Sequence, residues 1–177
     1  MKKDFLVIIF LSLIFMYFFP SQSSATMVGL STEELTRASE VITRGEVEHV
    51  ESLWSKDRKT IFTSASIVIN DIIKGKIAQK KIVVEYEGGE IGNIGLKVSD
   101  VSPLRKEEKV ILFLKVEKSR RDGLGDVYNI VGSAQGKYII DGDGIAKKSG
   151  FSIVNGKDVI DNNISVDALI GKIKGVK

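Results

Sequence analysis

The run from Thr60 to Ile73, TIFTSASIVINDII, places Ile61, Thr63, Ala65, Ile67 and Ile69 on one face at a spacing of two. A side chain repeating every second residue marks a strand with one buried face, and the β-branched content of the run favours that conformation. A strand of this length needs pairing along its edges and a layer against its apolar face. Shorter segments of the same kind follow along the chain. Gly45 to Glu51 sets Val47 among charged neighbours, with Leu53 and Trp54 extending the run, and Lys81 to Tyr86 reads KIVVEY. Val127 to Val131 and Lys137 to Ile140 are two more strands, and Leu96-Lys97-Val98 is a short apolar-polar-apolar piece. Val110 to Val116, VILFLKV, is almost continuously apolar. A strand covered on both faces reads that way, so this one is expected to be the most buried.

Polar turns divide these segments: Ser55 to Lys59, Lys74 to Lys76, Ser102 to Glu108, Arg120 to Asp126 and Asp141 to Gly144. Pro103 bars its loop from a central strand position. Asn155-Gly156, between Phe151–Val154 and Val159-Ile160, carries the two-residue signal of a late hairpin. Two helices are expected. Ser31-Thr32-Glu33-Glu34 has the capping-box form and opens a short helix over 31–38, flanked by Leu30 and Leu35 as a hydrophobic staple. Ser165 opens a second over 165–174, with Val166, Leu169, Ile170 and Ile173 on one face. Many short strands, glycine-rich turns and a small helix near each end favour an all-β fold, a closed or nearly closed antiparallel barrel, over a parallel α/β sheet.

The first 25 residues stand apart from this pattern. Lys2 and Lys3 precede an apolar run, Phe5 to Phe19, broken only by Ser12; Pro20 ends it, and Ser23-Ser24-Ala25 offers small residues to a signal peptidase. This is the form of a secretory signal with cleavage between Ala25 and Thr26. The run falls short of the ~20 residues a spanning helix needs, so membrane contact is expected only if the segment stays attached. The expected address is exported: periplasm, cell envelope or medium. One domain of about 150 residues would remain, 26–177. The chain has no cysteine, so packing must stabilise it without disulfides. Removing Lys2, Lys3 and Asp4 lowers the formal charge from +3 to +2. The remaining charges are interspersed, as a solvated surface requires, and give no reason to expect nucleic acid. The most basic stretch, Lys74 to Lys81, reads as a lysine-rich turn between strands.

No constellation of residues marks an enzyme. Glu87 to Gly95, EGGEIGNIG, spaces Gly89, Gly92 and Gly95 as G-x-x-G-x-x-G and leads into LKVSDVSP, which is not helical. A phosphate-binding fingerprint needs G-x-G-x-x-G opening a helix, and no G-K-[ST] is present. Glycines beside a strand supply positive φ and tight bends instead, so the segment reads as the backbone device that bends a sheet towards closure. Loops on rigid scaffolds also carry binding surfaces. His49, the single histidine, has no local nucleophile or ligand spacing around it and reads as an ordinary strand residue. Asp141-Gly-Asp143-Gly opens like a calcium loop but lacks the remaining ligands and the closing Glu. Trp54, Tyr86, Tyr128 and Tyr138 form no stripe for stacking sugar or base. A non-enzyme without cofactor or metal is expected.

The order RASEVITRGEVEHVESLW, IFTSASIVINDIIKG, IVVEYEGGEIGNIGLKVSDVSPLRKEEKVILFLK and YNIVGSAQGKYII, spanning Ala38 to Ile140, resembles a family of exported bacterial proteins of uncharacterised role. It is distantly similar to the netrin-like domain of tissue inhibitors of metalloproteinases. The resemblance implies an OB-like or netrin-like antiparallel barrel of five to six strands, closed or partly open. Genes of that family often accompany secreted matrixin-type metalloproteases, so the resemblance also implies another exported protein, a metalloprotease, as partner. The animal inhibitors hold the enzyme's zinc through a disulfide-pinned N-terminal cysteine; this chain has none, and no functional residue is carried over. The expected role is a binding module that partners or modulates an extracellular protease. The alternative is a structural or polysaccharide-binding protein of the cell envelope, tethered if the signal is retained. Two loops are expected to form the contact surface: Glu87, Gly88, Gly89, Glu90, Gly92, Asn93 and Gly95 in one, Pro103 and Arg105 in the other.

Overall fold

A computed structural model describes residues 26–119, 126–154 and 160–176. The expected signal segment with Ala25, most of the Arg120–Asp126 turn and the Asn155-Gly156 turn lie outside the described residues. Short β1 (Thr26–Met27) leads to helix α1 (Thr32–Ala38). The long strands β2 (Val41–Trp54) and β3 (Ile61–Lys74) follow, then β4 (Lys81–Glu87) and the short β5 (Gly89–Ile91) and β6 (Ile94–Leu96). Next come β7 (Lys109–Lys118), β8 (Asp126–Ile130), a 3-10 turn over Ser133–Gly136, and β9 (Lys137–Ile140). The chain ends through β10 (Ile145–Lys147), β11 (Ser152–Ile153), β12 (Ile164–Ser165) and helix α2 (Val166–Gly175).

The protein is mainly β. One eight-stranded sheet runs β12-β10-β9-β7-β2-β3-β4-β8, and a further β7–β8 pairing turns five of its strands, β2, β3, β4, β8 and β7, into a ring. This is a partly open β-barrel. The ring differs from a fully closed antiparallel one at a single seam. There β4 and β8 run parallel and meet at one pair, Val84 and Tyr128. Elsewhere the ladders are long: β2 and β3 pair from Ile42/Lys74 to Trp54/Ile61.

Alternation decides which side chains fill the ring. Ala65 and Ile67 of β3, Ile82 and Val84 of β4, and Val110, Leu112 and Leu114 of β7 form the inner core. β2 contributes Val41 and Val47, with Val50 packed beside them. Val47 and Val50 differ in parity, and both reach the interior because the strand bulges: Val47 opposes Ile67 and His49 opposes Ser66, leaving Glu48 unmatched.

The strand read as most buried from VILFLKV is β7, and its two faces serve two cores. Ile111 and Phe113, both fully buried, point away from the ring into a second cluster with Leu35, Ile42, Tyr138, Leu169 and Ile173. That cluster holds both helices on the sheet. Ser31 caps α1: its Oγ accepts from Glu34 N at 3.2 Å, while Ser31 N donates to Glu34 Oε2 at 2.8 Å. At the other end Lys74 Nζ donates to the carbonyls of Thr36 and Ser39 at 2.5 and 2.7 Å, which satisfies acceptors the helix leaves open. Ser165 Oγ accepts from Ala168 N at 3.3 Å and starts α2.

Along the outer edge of β7, β8 and β9 follow one another, and the 3-10 turn is an excursion between them. Gln135 in that turn is buried and clamps the segment that leads into α1. Its Oε1 accepts from Leu30 N at 2.7 Å and its Nε2 donates to Val28 O at 2.9 Å. β1 pairs in parallel with β11. Ser152 and Ile153 thus pair with Thr26 and Met27, residues too far away in sequence for local turn signals to show.

Lys148, just after β10, is the polar exception in the outer core. Its residue is 6 % exposed, its Nζ has no hydrogen-bond partner, and the Nζ lies 4.4 Å from the centre of the Tyr138 ring. Burial lowers its pKa from 10.5 to about 7, with Asp161 opposing the shift. The unfolded chain keeps this proton up to the ordinary value, so between these two pH values it binds more protons than the folded chain, and stability rises with pH across the window. Below pH 7 the whole penalty of burying the cation is present. The midpoint of thermal unfolding should accordingly climb from pH 7 to pH 9. Lys148→Met should raise the midpoint at pH 6 by several degrees and flatten the climb. A midpoint lowered by the substitution at pH 6 would contradict this account.

Candidate functional site

The glycine-rich segment is a hairpin. β5 and β6 pair from Gly89/Leu96 to Ile91/Ile94 as a small separate sheet, with Gly92 and Asn93 as the two-residue turn. The glycines read from the sequence as a device that bends a sheet towards closure thus form a hairpin that follows β4. Gly92 has φ +60°, and a glycine at the first central position suits a two-residue turn between twisted strands. At the base the constraint is contact. Gly89 has φ +136°, and a Cβ there would lie 2.3 Å from Ser52 Oγ and 2.6 Å from Thr63 Oγ1. Only a residue without a side chain lets the hairpin sit this close to the β2–β3 ribbon. Hydrogen bonds then hold it: Thr63 Oγ1 donates to Gly88 O at 2.6 Å, and Ser52 Oγ accepts from Glu90 N at 3.1 Å.

The Pro103–Glu108 loop is pinned on the opposite side. Lys137 of β9 is fully buried, and its Nζ donates to Pro103 O at 2.6 Å and pairs with Glu108 Oε2 at 2.7 Å. Burial lowers the pKa of this lysine, while the hydrogen bond and charge of Glu108 oppose the shift. Glu108 Oε2 also accepts from Arg105 N at 3.1 Å. The loop's backbone continues the edge of β2, with Val47 N donating to Glu108 O at 3.0 Å and Glu107 N to Val47 O at 2.8 Å.

Between hairpin and loop, at the end of the ring, lies a cleft of about 600 Å³. Glu87, Gly88, Gly89, Glu90, Gly95 and Pro103, all expected to lie at the contact surface, border it together. Gly92, Asn93 and Arg105 are exposed but do not line it; the first two form the hairpin tip. Thr26, the expected new N-terminus, lies in β1, paired with Ser152. Sequence reasoning missed the cleft's floor, which comes from Val50 and Ser52 of β2, Thr63 of β3, Tyr86 of β4 and Val101 and Leu104 beyond β6. Thr63 alone carried a signal, as a polar residue on the otherwise apolar face of its strand. The Tyr86 hydroxyl accepts from Leu104 N at 3.0 Å. Burial pushes its pKa above the usual value, and its hydrogen bonds with Leu104 and Thr63 offset that only in part.

Elsewhere the chemistry-bearing residues are dispersed. His49 is exposed on β2 opposite Ser66. Asp141 Oδ1 accepts from the backbone of Asp143 and Ile145 at 3.0 and 2.9 Å, and its other oxygen pairs with Lys147 at 2.6 Å. The Lys147 ammonium, followed by the Ile145 amide, holds the Asp141 carboxyl below its usual range. Among the described residues no group of three His, Cys, Asp or Glu side chains is arranged to hold a metal ion. No family model matches the chain, and neither a curated protein nor a solved structure matches it.

The two hairpin glycines, Gly92 at the tip and Gly89 at the base, should respond differently to a methyl group. Gly92→Ala meets open space and carries only the strain of a left-handed backbone, about 1 kcal/mol. Gly89→Ala adds overlap with Ser52 and Thr63, and should destabilise by about 2–3 kcal/mol while releasing the hairpin base. Urea unfolding measures the first quantity and amide exchange at Glu90 the second. Equal effects at the two sites would rule out the close-approach explanation.

Proposed function

We propose that the chain from Thr26 onward is an exported, non-catalytic binding module that engages a partner protein through the cleft between the β5–β6 hairpin and the Pro103–Glu108 loop. One observation carries this reading. Two loops separated in sequence are each tied down by hydrogen bonds, one buried and one part-buried, and they border one concave, mostly apolar site. Sites of this size, largely pre-formed on a rigid scaffold, are the usual place for recognition. The proposed partner is an extracellular metalloprotease, which the module restrains or modulates; the choice of a protease rests on the resemblance of the chain to the inhibitor domain.

Filling the cleft tests the proposal. Val98 is half-buried at its mouth, so Val98→Trp should obstruct the site while leaving the cores intact, which far-ultraviolet circular dichroism and thermal unfolding check. The chain 26–177 should capture a metalloprotease by cross-linking from the medium or envelope of the producing cell and slow its cleavage of a peptide substrate. Val98→Trp should lose both effects. Unchanged cleavage by every metalloprotease those cells secrete, or equal capture by the two forms, would overturn the proposal.

A further inference from the structure

The floor of the cleft has little hydrogen bonding left to offer. Thr63 Oγ1 is committed to Gly88 O, Ser52 Oγ to Glu90 N, and the Tyr86 hydroxyl to Leu104 N, at 2.6, 3.1 and 3.0 Å. A hydroxyl-rich ligand would give up its bonds to water and find few replacements, which is unfavourable. Tyr86 is the one aromatic lining residue and is only 9 % exposed, so no open ring face awaits a sugar. An aliphatic group faces no such obstacle: Val50, Val98, Val101 and Leu104 surround the space it would fill.

The rim adds a charge preference. Glu87 and Glu90 are exposed on the hairpin side, against one lysine, Lys97. Glu87 Oε1 accepts from Thr60 Oγ1 at 3.1 Å, which fixes that carboxylate at the rim. The volume, about 600 Å³, exceeds a single side chain and suits a short stretch of chain.

We infer that the occupant is an extended peptide segment of the partner protein, with one aliphatic side chain seated on the Tyr86–Leu104 floor and a basic neighbour against Glu87 and Glu90. This rests on the binding-module reading above and adds the chemistry of what is bound. The aliphatic group supplies the affinity; the exposed carboxylates select which side chain stands next to it.

The test uses the isotope-labelled chain 26–177 and three capped peptides, acetyl-GGKLKGG-amide and its relatives with Ser in place of Leu and with Glu in place of both Lys. The Lys-Leu-Lys peptide should shift the amide resonances of Gly88, Gly89, Gly95 and Leu96 saturably. Replacing Leu by Ser should weaken binding about tenfold or more. Glu87→Gln with Glu90→Gln should weaken the parent peptide roughly two- to five-fold, the scale of exposed ion pairs, and added salt should mimic that loss. Equal binding of the acidic peptide, shifts confined to another surface, or no saturable shift up to millimolar peptide would overturn the inference. These failures are separable from failure of the underlying reading. Capture of a protease that Val98→Trp abolishes, with no response to the peptides, would leave the cleft as the contact site and remove only the proposed segment chemistry.

Discussion

Both cores depend on β7. Val110, Leu112 and Leu114 close the inside of the ring, and Ile111 and Phe113 carry the outer cluster that seats α1 and α2. A strand buried on both faces must donate its edges as well, and β7 does so, to β2 on one side and to β8 and β9 in succession on the other. Each fully buried aliphatic or aromatic side chain in such a place contributes about 1.5–3 kcal/mol relative to exposure. With no cysteine in the chain, this doubly covered strand takes the place of covalent cross-links. The ring can therefore tolerate a seam as slight as the single Val84–Tyr128 pair.

What the sequence made legible was whatever a local period can encode. The alternation in TIFTSASI, the unbroken VILFLKV run and the Ser31–Glu34 box each state their environment within a few residues, and the barrel class follows from their succession. Other features depend on tertiary neighbours. The bulge at Glu48 leaves no composition signal, because its cause is the need to keep Val47 and Val50 on one face. Glycines in EGGEIGNIG announced a backbone reversal, but pairing of Gly89–Ile91 with Ile94–Leu96 depends on Ser52 and Thr63 receiving the hairpin base. The cleft was half legible for the same reason. Its rim came from two recognisable loops, while its floor combines Val50, Ser52, Thr63 and Tyr86, set side by side by the register of β2, β3 and β4, with Val101 and Leu104 from beyond β6.

Two buried lysines show how differently one residue type can be used. Lys137 lies under the barrel end with a carboxylate and a carbonyl within 2.7 Å, so its charge is compensated and its removal would leave Glu108 without its buried partner. Lys148 lies in the outer core with only the Tyr138 ring face and the more remote charge of Asp161. Neither burial shows in the sequence, since long amphipathic side chains give no local sign of where their tips end.

The placement of Lys137 bears on the proposed recognition site. One wall of the cleft is set by backbone contact, because Gly89 admits no other spacing from Ser52 and Thr63. The opposite wall is set by a buried ammonium that holds Pro103 and Glu108 at once. Neither wall depends on a flexible surface side chain for its position. A ligand entering such a site does not have to order it first, so less of the interaction free energy is lost to conformational entropy on binding. That argues for rigid recognition of a short segment at the barrel end, with the selectivity residing in the floor and the rim carboxylates rather than in loop closure.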